Sequence, residues 1–148
     1  VTGGLAKGAV MDTIPDTAAS VRVPAGPIAF YFYFDPGAGS GRMPTNIEDL
    51  VRMASGDAMP TTARSAEEFV LLHMTPTDNG RQAQIGTTGG RSGSSGQSKD
   101  AVPCVVEKLG TGGYRVRPKN PLAPGEYAFT FRALGPGGQL WDFGVDAK

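Results

Sequence analysis

The chain has 148 residues, a length that fits one domain able to bury its own core without staples. Its 14 Lys+Arg balance its 14 Asp+Glu, so it lacks the basic excess of a nucleic-acid-binding surface and no nucleic-acid partner is expected. One cysteine and one histidine exclude an intrachain disulfide and argue against a protein-only zinc site.

The 22 glycines and 12 prolines fall between strand-like apolar runs and read as turn punctuation in a β-rich domain. No apolar stretch reaches the length of a transmembrane helix. The start at Val1 leaves open a removed signal segment, a trimmed chain and a processed precursor.

In chain order, Ala9–Met11 starts an edge strand and Ser20–Pro24 alternates as a short one. Ile28–Phe34 (IAFYFYF) is the strongest strand signal. Ile28, Phe30, Phe32 and Phe34 share one face, and Ala29, Tyr31 and Tyr33 the other, because strand side chains alternate. Apolar character on both faces predicts a central strand covered on both sides. The alternative is an exposed Tyr31/Tyr33 pair that stacks on a sugar or a partner.

Asp35–Gly41 reads as a glycine-rich loop, and Thr45 with Glu48 as a capping box opening a short helix over Asn46–Ser55. Ser65 with Glu68 forms a second capping box. It predicts a brief turn and then a strand to Thr75, with a helix through Leu72 as the competing reading. Asn79-Gly80 favours a type I′ hairpin turn into a strand over Arg81–Thr87. Residues 88–100 (TGGRSGSSGQSKD) read as a flexible Gly/Ser-rich surface loop.

Ala101–Lys108 follows as one strand, with Pro103 marking an edge position. Tyr114–Arg117 alternates cleanly. Glu126–Leu134 is a strand with Tyr127, Phe129 and Phe131 inward and Thr130 and Arg132 outward. Gln139–Val145 closes the fold, with Trp141, Phe143 and Val145 on one face. About eight short strands and one short helix predict an all-β fold, mainly an antiparallel β-sandwich, Ig-like or related, as a single domain over residues 1–148.

The runs Tyr114–Pro118 (YRVRP), Leu122–Phe129 (LAPGEYAF) and Trp141–Asp146 (WDFGVD) resemble a group of bacterial β-rich domains, many of them extracytoplasmic. Their shared pattern is Y-x-V-x-P, L-x-PGEYAF and DFG followed by Val or Ile. Ser65–Leu71 resembles the same group's SPEEF-x-L stretch, with Ala66 in place of its proline. The resemblance spans roughly half the chain. It implies a fold and an extracytoplasmic address, periplasm or cell surface, and no reaction. Physically, Pro124-Gly125 makes a turn and Tyr127 enters a late strand, where a tyrosine hydroxyl bonds nearby backbone.

No constellation of residues points to catalysis, and no cofactor or metal is expected. His73, the only candidate base, alternates with Phe69 and Leu71 and reads as a core or half-buried side chain. No G-x-S-x-G elbow and no Walker signature occur. Cys104 sits among Val102, Val105 and Val106 and reads as a small buried hydrophobe. Glu126 and Asp142 are a carboxylate pair that meets across the last hairpin, yet both are expected to face solvent.

A non-catalytic structural or protein-interaction module is therefore expected, with a protein partner or self-association through exposed aromatics or a sheet edge. The alternatives are a carbohydrate- or peptide-binding module that uses Tyr31, Tyr33 and Trp141, and a virion or appendage subunit. A hydrolase is the residual enzymatic reading.

Overall fold

The structure is a computed structural model and describes residues 8–34, 63, 65–88, 98–131 and 139–147. The expected helix over 46–55 and glycine-rich loop over 35–41 lie outside these residues, as do the central part of the 88–100 loop and Arg132.

Ten strands occur among the described residues: β1 (Gly8–Ile14), β2 (Arg22–Pro24), β3 (Phe30–Tyr33), β4 (Phe69–Thr77), β5 (Gly80–Thr88), β6 (Ala101–Val102), β7 (Cys104–Lys108), β8 (Gly113–Pro118), β9 (Gly125–Phe131) and β10 (Leu140–Asp146). They form two sheets. The larger has the order β1-β5-β4-β9-β10-β2, with β6 paired to β4, and the smaller has the order β3-β8-β7. Every pairing is antiparallel except β2 with β10. The fold is an all-β sandwich.

The layer between the sheets is aromatic. Phe30 meets Phe129 edge-on at 4.9 Å, Phe32 meets Phe129 at 5.2 Å, and Phe30 lies 4.9 Å from Phe143. Leu71, Val116, Leu122, Tyr127 and Val145 complete this buried cluster. Each such side chain contributes about 1.5–3 kcal/mol of burial, whereas an exposed ion pair contributes about 0–1. The aromatic layer, rather than surface charge, therefore holds the sheets together.

The strand covered on both faces is β9, where every residue from Glu126 to Phe131 is buried, and not β3. On β4, Leu72 and Met74 form a second buried cluster with Ala83 and Ala128 on the other face of the large sheet. The outward face of β3 carries Tyr31 and Tyr33 instead. A tyrosine ends in a hydroxyl that tolerates water, so apolar patterning on both faces did not force β3 into the middle of a sheet.

The Ser65 capping box forms as expected: Glu67 N–H donates to Ser65 Oγ at 3.2 Å, and Ser65 N–H to Glu68 Oε1 at 2.8 Å. It caps a 3-10 turn, Ala66–Glu68, and the chain then enters β4 rather than a helix.

The β4–β5 hairpin departs from the expected type I′ turn. Its central residues are Asp78 and Asn79, and neither has a positive φ. Gly80 has φ +142°, and a Cβ there would overlap the Ile14 carbonyl oxygen and the Pro15 backbone. Glycine is required by this close approach.

Pro103 splits the strand expected over 101–108. Without an N–H it interrupts the ladder. Before it, β6 pairs with Leu71 and Leu72 in the large sheet; after it, β7 joins the small sheet on Arg115–Pro118 and Tyr114. The end of the expected flexible loop is also bound. Where β5 leaves β4, His73 N–H donates to the Asp100 carbonyl at 2.9 Å and Gln84 N–H to Asp100 Oδ2 at 2.7 Å, while Ser98 Oγ donates to the Gln84 carbonyl. Asp100 thus satisfies backbone donors that the fork would otherwise strand.

Candidate functional site

The aromatic edge of β3 gathers two of the three candidate binding residues around one groove. β3 pairs only with β8 among the described residues, with Tyr31 opposite Arg115 and Phe32 opposite Tyr114. Beside its other edge lies an open groove of about 540 Å³, lined by Ala29, Phe30, Tyr31, Phe32, Phe69, Phe129 and Trp141. Trp141 is 42% exposed and is steadied edge-on by Phe69 at 5.4 Å. Tyr31 is 54% exposed. Tyr33, 78% exposed, shares the outward face of β3 with Tyr31 but does not line the groove.

The backbone of this edge follows from one hydrogen bond. Phe34 N–H donates to the Gly112 carbonyl at 2.8 Å, on the β8 side. Alternate residues of a strand send their backbone groups to the same side. Phe30 and Phe32 therefore bond β8, and Tyr31 and Tyr33 turn their N–H and C=O groups toward the open edge.

The other strands that end the two sheet orders, β1, β2 and β7, are guarded. β1 carries a bulge between Val10 and Met11, β2 is three residues long and ends at Pro24, and β7 follows Pro103 and carries Glu107 and Lys108. Bulges, prolines, short length and charge are how edges avoid unwanted pairing. β3 is itself only four residues long, but it has none of charge, proline or bulge.

On the outward face of the small sheet, Arg115 Nη2 bonds Glu107 Oε2 at 2.6 Å, and the Tyr31 hydroxyl interacts with the same guanidinium. The Arg115 hydrogen bond holds the Glu107 carboxyl below its usual range.

Among the described residues no hydrogen bond joins His73 to Cys104 or to a carboxylate. His73 keeps the face of Phe69 and Leu71, but it is exposed, its ring 5.1 Å from that of Tyr127, and not in the core. Cys104 is half-buried, and burial pushes its thiol up to about 11, away from the thiolate a nucleophile needs. Asp12 Oδ2 is buried with no hydrogen-bond partner, yet no group of three His, Cys, Asp or Glu among the described residues is placed to hold a metal.

The carboxylate pair differs most from expectation. Glu126 is 8% exposed, not solvent-facing, and its oxygens are occupied by donors: Arg81 Nη1 at 3.0 Å, Ala19 N–H at 2.8 Å, and Arg22. Arg81, 1% exposed, also bonds Asp142 Oδ2 at 2.8 Å and the Asp16 carbonyl at 2.7 Å. Arg22 reaches Asp146 Oδ1 at 3.0 Å. The two carboxylates are joined through the Arg81 guanidinium. Alternation alone places Arg81 on the face of Ala83, but nothing local in the sequence names its partners.

Expected partner Tyr127 does what its sequence context implied: its hydroxyl donates to the Ala123 carbonyl at 2.9 Å and locks the corner into β9. Among the described residues no helix is long and apolar enough to cross a membrane. Comparison with protein-family models, with curated proteins and with solved structures found no match to this chain.

Proposed function

We propose that this chain is a non-catalytic structural or protein-interaction module whose binding surface is the aromatic edge formed by Tyr31, Tyr33 and Trp141. One observation carries the reading: β3 is an uncharged, proline-free edge that directs the backbone groups of Tyr31 and Tyr33 outward beside an apolar groove. An edge of this kind binds by strand addition, where backbone hydrogen bonds give affinity and alternate side chains give specificity. The resemblance of the LAPGEYAF and WDFGVD runs to bacterial β-rich domains, many of them extracytoplasmic, supports an address at a bacterial surface or in the periplasm as part of this proposal.

A second reading, binding of a glycan or short peptide, draws support from Tyr31 and Trp141 lining the same open groove. The two readings separate on arrays of extended peptides and of glycans probed with the purified chain and with its Tyr31→Ala and Trp141→Ala variants. Peptide binding lost in Tyr31→Ala supports strand addition. Glycan binding that requires Trp141, without peptide binding, replaces it with the second reading.

A further inference from the structure

Phe30-Tyr31-Phe32-Tyr33-Phe34 reads the same in both directions. Antiparallel strands related by a two-fold axis pair residue i of one with residue j of the other at constant i + j, and directly opposed side chains lie on one face. With the axis at Phe32, Phe30 faces Phe34 of a second copy, Phe32 faces Phe32, and Tyr31 faces Tyr33. All phenylalanines then stay on the core side and all tyrosines on the outer side. The described strands hold other palindromes of three residues, such as Arg115-Val116-Arg117 in β8, but none of five.

The backbone agrees with that register. Tyr31 and Tyr33 are the residues whose N–H and C=O groups point away from β8, and they are the ones that this register makes hydrogen-bonded partners. The core-side phenylalanines of the second copy come to the side where the groove between β3 and Trp141 opens. No residue from Ile28 to Phe34 is charged, and the whole chain has no net charge, so two copies meet without like-charge repulsion. Among the described residues only β8 pairs with β3, so its other edge is open to a second copy.

We propose that the partner bound at this edge is a second copy of the same chain, joined through antiparallel β3–β3 pairing about a two-fold axis at Phe32, which merges the two small sheets into one six-stranded sheet. This rests on the interaction-module reading above and names its partner.

The test is sedimentation of the whole chain over a concentration series, with two double variants. Tyr31→Lys/Tyr33→Lys sets like charges opposite each other in this register, and so does Tyr31→Glu/Tyr33→Glu. Both positions are exposed, so the monomer tolerates the changes. The wild type is expected to form a reversible dimer, and each double variant to weaken it at least about a hundredfold. An equimolar mixture of the two variants is expected to restore a dimer, which also shows that both are folded. Amide exchange at Tyr31 and Tyr33 in the wild type slows as concentration rises, a readout that needs no variant.

A wild-type chain that stays monomeric throughout, or a dimer untouched by both charge variants, overturns the proposal. If the chain is monomeric but binds peptides on the array through Tyr31, self-pairing is wrong and the interaction-module reading stands. If it is monomeric and the arrays are blank, both are wrong.

Discussion

Arg81 on β5 reaches across β4 to Glu126 on β9, so that a guanidinium 1% exposed and a carboxylate meet at 3.0 Å. Removing one member of such a pair leaves the other buried without its counter-charge. Arg81→Met is expected to destabilise the fold by about 3 kcal/mol, the low end for a broken buried pair, since Glu126 keeps Arg22 and the Ala19 N–H. Replacing both, Arg81→Met with Glu126→Leu, is expected to recover most of that loss. Urea midpoints of the singles and the double check this, and a double no better than the sum of the singles refutes it.

Gly80→Ala is expected to lower the thermal midpoint sharply. The positive φ alone costs about 1–3 kcal/mol for a residue with a Cβ. The added methyl also meets fixed backbone at Ile14 and Pro15 rather than a movable side chain, so the β1–β5 edge must shift. A midpoint within error of wild type would show that this corner is loose.

Tyr127→Phe keeps the ring in its place against Phe143 at 5.7 Å and deletes only the bond to the Ala123 carbonyl. The expected cost is about 1 kcal/mol, read as a lower urea midpoint at unchanged m. Burial raises the tyrosine's pKa above its ordinary value, so the phenol stays neutral through the physiological range.

Asp146 and Glu107 lie below the usual carboxylate range because each accepts a hydrogen bond from an arginine, Arg22 and Arg115 respectively. A depressed folded value means that the stabilisation is fully present above the unfolded value, about 4, and is lost as pH falls through the folded one. Both groups are exposed, so the effect is small and screened by salt. Thermal midpoints are expected to be insensitive to these groups between about pH 6 and 8 and to decline below about pH 4. Asp146→Asn is expected to remove part of that acid decline; an identical acid limb in the variant contradicts the assignment.

The sequence by itself determined which side of each strand a residue occupies. Period-two alternation gave the Phe30/Phe32/Phe34 face of β3, the spacing of Ser65 and Glu68 gave the capped turn, and Pro124-Gly125 before Tyr127 gave the corner, because each depends on neighbours a few residues away. Only the tertiary structure decided what covers those faces. Tyr31 and Tyr33 remain open at a sheet edge while Glu126 and Thr130, written as surface residues, are buried in the middle of the large sheet. Strand order sets that difference, and strand order comes from pairings between distant segments: Glu126 is joined to Arg81 and Arg22 across 45 and 104 residues of chain. Alternation fixes a face's parity, whereas its solvent exposure depends on neighbouring strands that local patterning does not specify.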